Sequence, residues 1–158
     1  MSEQNKSDQK MHDALKRTVR HVVETMCFSE VAPTDESWQN NAETIVTAVN
    51  FYGSRSGRLQ LEVSSSAAWS LRDAFLGECE QRRGKGSAGQ MVEELGTMIC
   101  GRFLSSVDPL SQMSLRASGI GQQSAASGDT APKRVRQGFL LDSGHLTASV
   151  EFDNEKLG

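Results

Sequence analysis

The sequence predicts an α+β domain of two layers, a mostly antiparallel sheet packed against two long helices. Three observations predict it. Two stretches, Asp13–Cys27 and Gln90–Leu104, repeat apolar residues at three- and four-residue steps, the period of a helix with one buried face. Two others, Arg58–Val63 and His145–Phe152, alternate apolar and polar residues strictly, the period of a strand with one buried and one wet face. The apolar faces of two helices need cover, and one sheet supplies it most simply.

Taken in order, residues 1–10 are polar and read as a disordered leader, and residues 11–155 as a single domain. In the first helix Leu15, Val19, Val22, Val23 and Met26 fall on one side. Ser29–Asn41 carries Pro33, Asp35 and two asparagines and is expected to be a loop. Ile45–Tyr52 is rich in β-branched and aromatic residues and predicts a strand. It pairs with Arg58–Val63 across Gly53–Gly57, a loop of hairpin length. Serines 64–66 cap a short helix that places Ala68, Leu71 and Phe75 inward and ends at Gly77.

Residues 78–89 are a polar, glycine-broken connector, and the second long helix runs from Ser87 or Gln90 to Leu104, before Asp108-Pro109. Leu110–Ala117 is expected to be a strand, residues 118–134 a loop. Val135–Leu141 and His145–Phe152 flank the turn Asp142-Ser143-Gly144. The order suggests two halves, each a long helix followed by strands. Thr25-Met26-Cys27 echoes Thr97-Met98-Ile99-Cys100, although four residues are a weak repeat signal.

Composition narrows the function classes. With 17 basic and 20 acidic residues, a net charge of −3 and pI near 5.6, the surface is not built for nucleic acid or anionic lipid. No stretch approaches the roughly 20 apolar residues that cross a bilayer, and residues 1–10 lack the apolar centre of a secretory signal. A cytoplasmic protein is expected. Three widely spaced cysteines, Cys27, Cys79 and Cys100, fit reduced thiols better than a disulfide framework, and with His12, His21 and His145 they form no metal-ligand pattern. Neither a Walker loop nor a Rossmann fingerprint is present; Gly84-Lys-Gly-Ser-Ala-Gly89 lacks the phosphate-loop spacing.

The second long helix carries the most information. At about 100° per residue, Met91, Val92, Leu95, Met98, Ile99 and Phe103 gather on one side, and Gln90, Glu93, Glu94, Thr97 and Gly101 on the other. Gly96 and Gly101 each cost roughly 1 kcal/mol of helix propensity relative to alanine. Close approach by the sheet at one and by a partner at the other is one explanation, and a solvated face that tolerates glycine is the other.

The run Met91–Gly101 resembles the signature helix of the CheX/CheC family of chemotaxis phosphatases, an acid-x-x-Asn pattern followed by apolar residues and a glycine. The frame is similar too: Val49-Asn-Phe-Tyr-Gly53, Gly57-Arg-Leu-Gln-Leu-Glu-Val63, Ala67-Ala-Trp69 through Leu76-Gly77, and Val22-Val-Glu-Thr-Met-Cys-Phe28 in the opening helix. The resemblance covers residues 13–153 and implies a CheX/CheC-like fold. It also implies action on the aspartyl-phosphate of response-regulator receivers such as CheY, in a bacterial two-component setting. The family's acid engages a receiver lysine and its asparagine orients the attacking water, which is catalysis by positioning.

On this chain Glu94 falls on the acid position, and Thr97 stands where the family has asparagine. Gln90, Glu93 and Gly101 would flank the contact with the partner. Threonine has one short hydroxyl in place of an amide's donor and acceptor, its β-branch restricts that hydroxyl, and within a helix the hydroxyl can turn back to a carbonyl one turn earlier. No acid-x-x-Asn occurs between Asp13 and Phe28 to compensate. Two functions follow: a weakened receiver phosphatase using Glu94 and Thr97, or a non-catalytic module that docks receivers through the same helix. No cofactor is expected in the chain itself, since magnesium would belong to the receiver. The sequence leaves open a homodimer, which some members form through their sheets.

Overall fold

A computed structural model describes residues 2–27, 29–35, 44–53, 56–76, 87–107, 114–120 and 134–152. They form α1 (Ser2–Met26), β1 (Ala32–Thr34), β2 (Thr44–Tyr52), β3 (Gly57–Ser64), α2 (Ser65–Leu76), α3 (Ser87–Val107), β4 (Ser114–Ile120), β5 (Arg134–Leu141) and β6 (Gly144–Phe152). All strand pairs are antiparallel, in the order β1-β5-β6-β3-β2-β4. The α+β class and the sheet-on-helices arrangement expected from the sequence are those observed, with the shorter α2 beside the two long helices.

Exchanging the halves (β1 with β4, β2 with β5, β3 with β6) turns this strand order into its own reverse. The centre is the β3–β6 pair, where Leu59 faces Val150 and Leu61 faces Ala148. Each half is thus a long helix and three strands, with α2 as an addition to the first. The organisation suggested by the helix–strands–helix–strands order is present in the topology.

The core lies between the sheet and the helices. Leu59, Leu61, Val63, Leu146, Ala148 and Val150 point from the two central strands into one cluster with Leu15, Val19 and Val23 of α1 and Val92, Leu95, Ile99 and Phe103 of α3, all fully buried. On the opposite face of the sheet β6 presents Thr147 and Ser149, opposite Glu62 and Gln60 of β3 and Gly138 and Arg136 of β5. These small polar residues are buried as well, with longer polar side chains beside them in the neighbouring strands.

Four boundaries differ from the sequence reading, one of them the end of α3 at Val107, three residues past the expected Leu104. Helix α1 begins at Ser2, where a disordered leader was expected up to residue 10. Glutamate, glutamine and lysine in that stretch are adequate helix formers, and adding turns to a helix already docked through Met11, Ala14 and Leu15 needs no new nucleus. Strand β1 lies inside the segment expected to be a loop. Pro33 sits there against Phe139 on a sheet edge, where a missing N–H breaks no interior ladder, and Gln137 Nε2 donates to Thr34 O at 3.0 Å. Strand β4 continues to Ile120, past the expected end at Ala117, and shifts register against β2 at Ala48/Val49. Residues 78–86 of the expected connector 78–89 (Cys79 among them), Gly77, most of the loop 118–134 and Phe28 lie outside the described residues, and residues 87–89 belong to α3.

Candidate functional site

Helix α3 is set on the sheet at Gly96. A Cβ added there would lie 3.2 Å from Thr47 Cγ2, 3.6 Å from Val49 Cγ2 and 3.9 Å from Leu61 Cδ2. Strand β2, through Thr47, therefore approaches the helix more closely than most side chains allow, while Val49 and Leu61 lie at ordinary contact distance. Met91, Val92, Leu95, Ile99 and Phe103 are buried on either side of this contact, and Met98 is partly buried. With that face fixed, Gln90, Glu94 and Thr97 are exposed, and Glu93 and Gly101 are half-buried at the margins. All five candidate residues lie on one helix, and the outward stripe runs Gln90, Glu94, Thr97, Gly101 along the axis.

At Gly101 the situation is the reverse of Gly96. An added Cβ would meet only Leu115 Cδ1, at 3.7 Å, an ordinary van der Waals contact. The chain's own packing explains one of the two interior glycines and leaves the second unexplained.

Thr97 Oγ1 donates to the Glu93 carbonyl oxygen at 3.2 Å. The hydroxyl takes the backward bond open to threonine inside a helix, so its hydrogen is directed along the helix toward its N-terminus. Its oxygen keeps acceptor capacity only. Glu94 makes no hydrogen bond or ion pair with any described residue, and its carboxylate stands in solvent. The stripe can therefore offer an anion to a partner's cation. Its side-chain amide is that of Gln90, one turn before Glu94; at residue 97 it offers no amide that could both donate to and accept from a water.

The two described cysteines, Cys27 and Cys100, supply no nucleophile. Burial pushes the Cys27 thiol up to about 11 and the Cys100 thiol up to about 12. Both are neutral near pH 7, and neither supplies a thiolate nucleophile. Among the described residues no three His, Cys, Asp or Glu side chains are grouped to hold a metal, and no helix is long and apolar enough to cross a membrane.

A feature absent from the sequence reading lies beside the stripe. Helices α1 and α3 pack together, and a surface cleft of about 670 Å³ opens between them, lined by Arg17, Thr18, His21, Gly101, Arg102, Ser105 and Ser106. Arg102 Nη2 donates to His21 Nε2 at 3.1 Å. The spacing Arg17, Arg20, His21 was a readable signal of a basic face on α1. Its meeting with Arg102, 81 residues away, depends on the helix pairing.

No protein-family model matches this sequence, and no curated protein is significantly similar to it. Solved structures are. The chemotaxis protein CheX from Vibrio vulnificus superposes with a TM-score of 0.69, at 16% identity, over 90% of this chain and 96% of that one. A CheX–CheY–BeF3–Mg2+ complex from Borrelia burgdorferi matches with a TM-score of 0.65, at 14% identity, over 90% of this chain and 97% of that one. The FliM middle domain from H. pylori matches with a TM-score of 0.66, at 14% identity, over 96% of this chain and 92% of that one. The chain thus has the fold of the CheX/CheC-like chemotaxis proteins, a fold that the FliM middle domain shares.

Proposed function

We propose that this protein is a receiver-docking domain of chemotaxis or two-component signalling, and that its hydrolysis of the receiver's aspartyl-phosphate is weak or absent. The carrying observation is the state of the α3 stripe: an unengaged, exposed Glu94 one turn from a threonine whose hydroxyl is bonded back to Glu93 O. Docking needs the first. Hydrolysis by water positioning needs a donor and an acceptor at residue 97 that reach a water in line with phosphorus, and a helix-bonded hydroxyl is a poor substitute. The likeness to a CheX structure solved together with CheY supports a receiver as the partner.

In this reading Glu94 meets a lysine of the receiver's active site, Gln90 and Glu93 flank it, and Gly101 lets the partner's backbone come close. Magnesium belongs to the receiver. The test follows decay of a phosphorylated CheY-type receiver with and without the protein, alongside a binding titration. Binding that Glu94→Ala weakens, with little or no faster decay, is expected. Fast decay abolished by Glu94→Ala would make the protein a full phosphatase in which Thr97 serves. Failure to bind any receiver tested, phosphorylated or not, would remove the reading.

A further inference from the structure

The cleft between α1 and α3 contains guanidinium groups but no carboxylate. Arg17 projects from α1 and Arg102 from α3, and neither has a carboxylate partner among the described residues. Of the acids nearest in sequence on α1, Glu24 pairs with Arg20 at 3.7 Å, and Asp13 accepts from the neutral Gln9 at 3.2 Å and makes no ion pair with Arg17. The remaining polar lining consists of the hydroxyls of Thr18, Ser105 and Ser106. In a chain of net charge −3, the cleft lining itself carries only positive charge.

The Arg102–His21 contact orders that charge. A guanidinium has only donors, so His21 Nε2 must accept, which requires the neutral imidazole with its proton on Nδ1. His21 thereby acts as a positioning residue that holds the Arg102 guanidinium across the cleft, and the other N–H groups of Arg102 remain to bind an oxyanion. Two guanidiniums with hydroxyls beside them are the usual recognition set for a carboxylate or phosphate oxygen pair.

The cleft is continuous with the candidate docking stripe, because Gly101 belongs to both. From Glu94 to Arg102 is eight residues, about 12 Å along the axis at 1.5 Å per residue. A body that covers Thr97 and Gly101 reaches both ends. We propose that the cleft is the anion-accepting pole of a two-pole docking surface, and that it takes a surface carboxylate of the receiver while Glu94 takes a cation about 12 Å away. This rests on the receiver reading above and adds to it the direction in which the partner lies on α3. Reversed docking would set like charges against each other at both poles.

The experiment uses the full chain and a CheY-type receiver carrying beryllofluoride and magnesium. Arg17→Glu/Arg102→Glu is expected to weaken binding at least tenfold with an unchanged circular-dichroism spectrum, and His21→Ala to weaken it less. Undiminished binding by the folded double variant overturns the proposal. A second measurement is independent of the receiver: titration of the isotope-labelled chain with inorganic phosphate, read at the amides of Arg17, Gly101, Arg102, Ser105 and Ser106. Saturable shifts that the double variant loses support the anion pole, and no shift overturns it. Phosphate shifts without receiver binding would uphold the pole and sink the receiver reading, so the two failures are distinguishable.

Discussion

The two interior glycines of α3 allow a paired measurement in which one term cancels. Gly→Ala in a helix interior gains about 1 kcal/mol of propensity wherever the helix is regular, and this gain is common to Gly96→Ala and Gly101→Ala. The surroundings differ. At Gly101 the new methyl would rest 3.7 Å from Leu115 Cδ1 and crowd nothing, so the gain survives. At Gly96 it would lie 3.2 Å from Thr47 Cγ2 and within 4 Å of Val49 and Leu61. Thr47 and Leu61 are fully buried in strands paired to each other, so they cannot yield freely. Overpacking of this kind costs about 1–3 kcal/mol.

Gly101→Ala should therefore raise Tm by about 2–4 °C for a chain of this size, and Gly96→Ala should fall below it by about 2–12 °C. Thermal unfolding followed by circular dichroism at fixed pH reads both. Equal shifts in the two variants would refute the reasoning, since they would show that the sheet does not press on the helix at Gly96. The same pair carries a functional readout. If Gly101 is open because a partner comes close there, Gly101→Ala gains stability and loses receiver affinity together, a combination that a purely structural glycine would not produce.

Thr97→Asn restores a donor–acceptor pair at an exposed position; it should accelerate decay of a phosphorylated receiver measurably while changing stability by no more than about 0.5 kcal/mol. Leu95→Ala, at a fully buried site beside Gly96, should cost about 2–5 kcal/mol in denaturant unfolding. For Cys27 and Cys100 the folded thiols titrate near 11 and 12, above the 9.0 of an unperturbed thiol. The unfolded chain releases those protons first, so the stabilisation they contribute is full below pH 9 and is lost as pH rises from there toward 11–12. Peptide mapping after alkylation at pH 8 should find both unmodified in the native protein and modified in denaturant.

What the sequence made legible follows from which contacts are periodic. Strands β3 and β6 and the buried faces of α1 and α3 were readable because one side chain in two, or in three to four, enters a common core, a period written in the chain itself; β2 was readable from its β-branched and aromatic residues. Strand β1 was not readable. Its three residues include Pro33, and what holds them is a partner strand and the Gln137 bond to Thr34 O, more than 100 residues away. The start of α1 was missed for a related reason: a polar leader and a polar helix extension have the same composition, and the docked turns that follow decide between them. In the candidate site, the exposure of Glu94 and Thr97 was legible from the helical wheel, and the backward bond of Thr97 was among the options its chemistry allowed. The basic cleft was not, because Arg17 and Arg102 lie in different halves of the chain and meet only through helix pairing.

In the proposed function, docking and hydrolysis would rest on separable parts of this structure, so that one could persist without the other. The height and rotation of α3 are set by Gly96 against Thr47 and by the buried ring of Val92, Leu95, Ile99 and Phe103. Given that seating, Glu94, Thr97 and Gly101 face outward whatever their side chains are. The positive pole depends on a different contact, between α1 and α3, so neither pole depends on the identity of residue 97. Water positioning, in the proposed function, would depend on residue 97 directly. Threonine at that position, compared with asparagine, lacks the amide and leaves the backbone, the acid and the glycine unchanged. On the proposed reading, a chain with threonine at 97 keeps the outward acid and glycine that would meet a receiver, and lacks at that position the amide that would turn the encounter into hydrolysis.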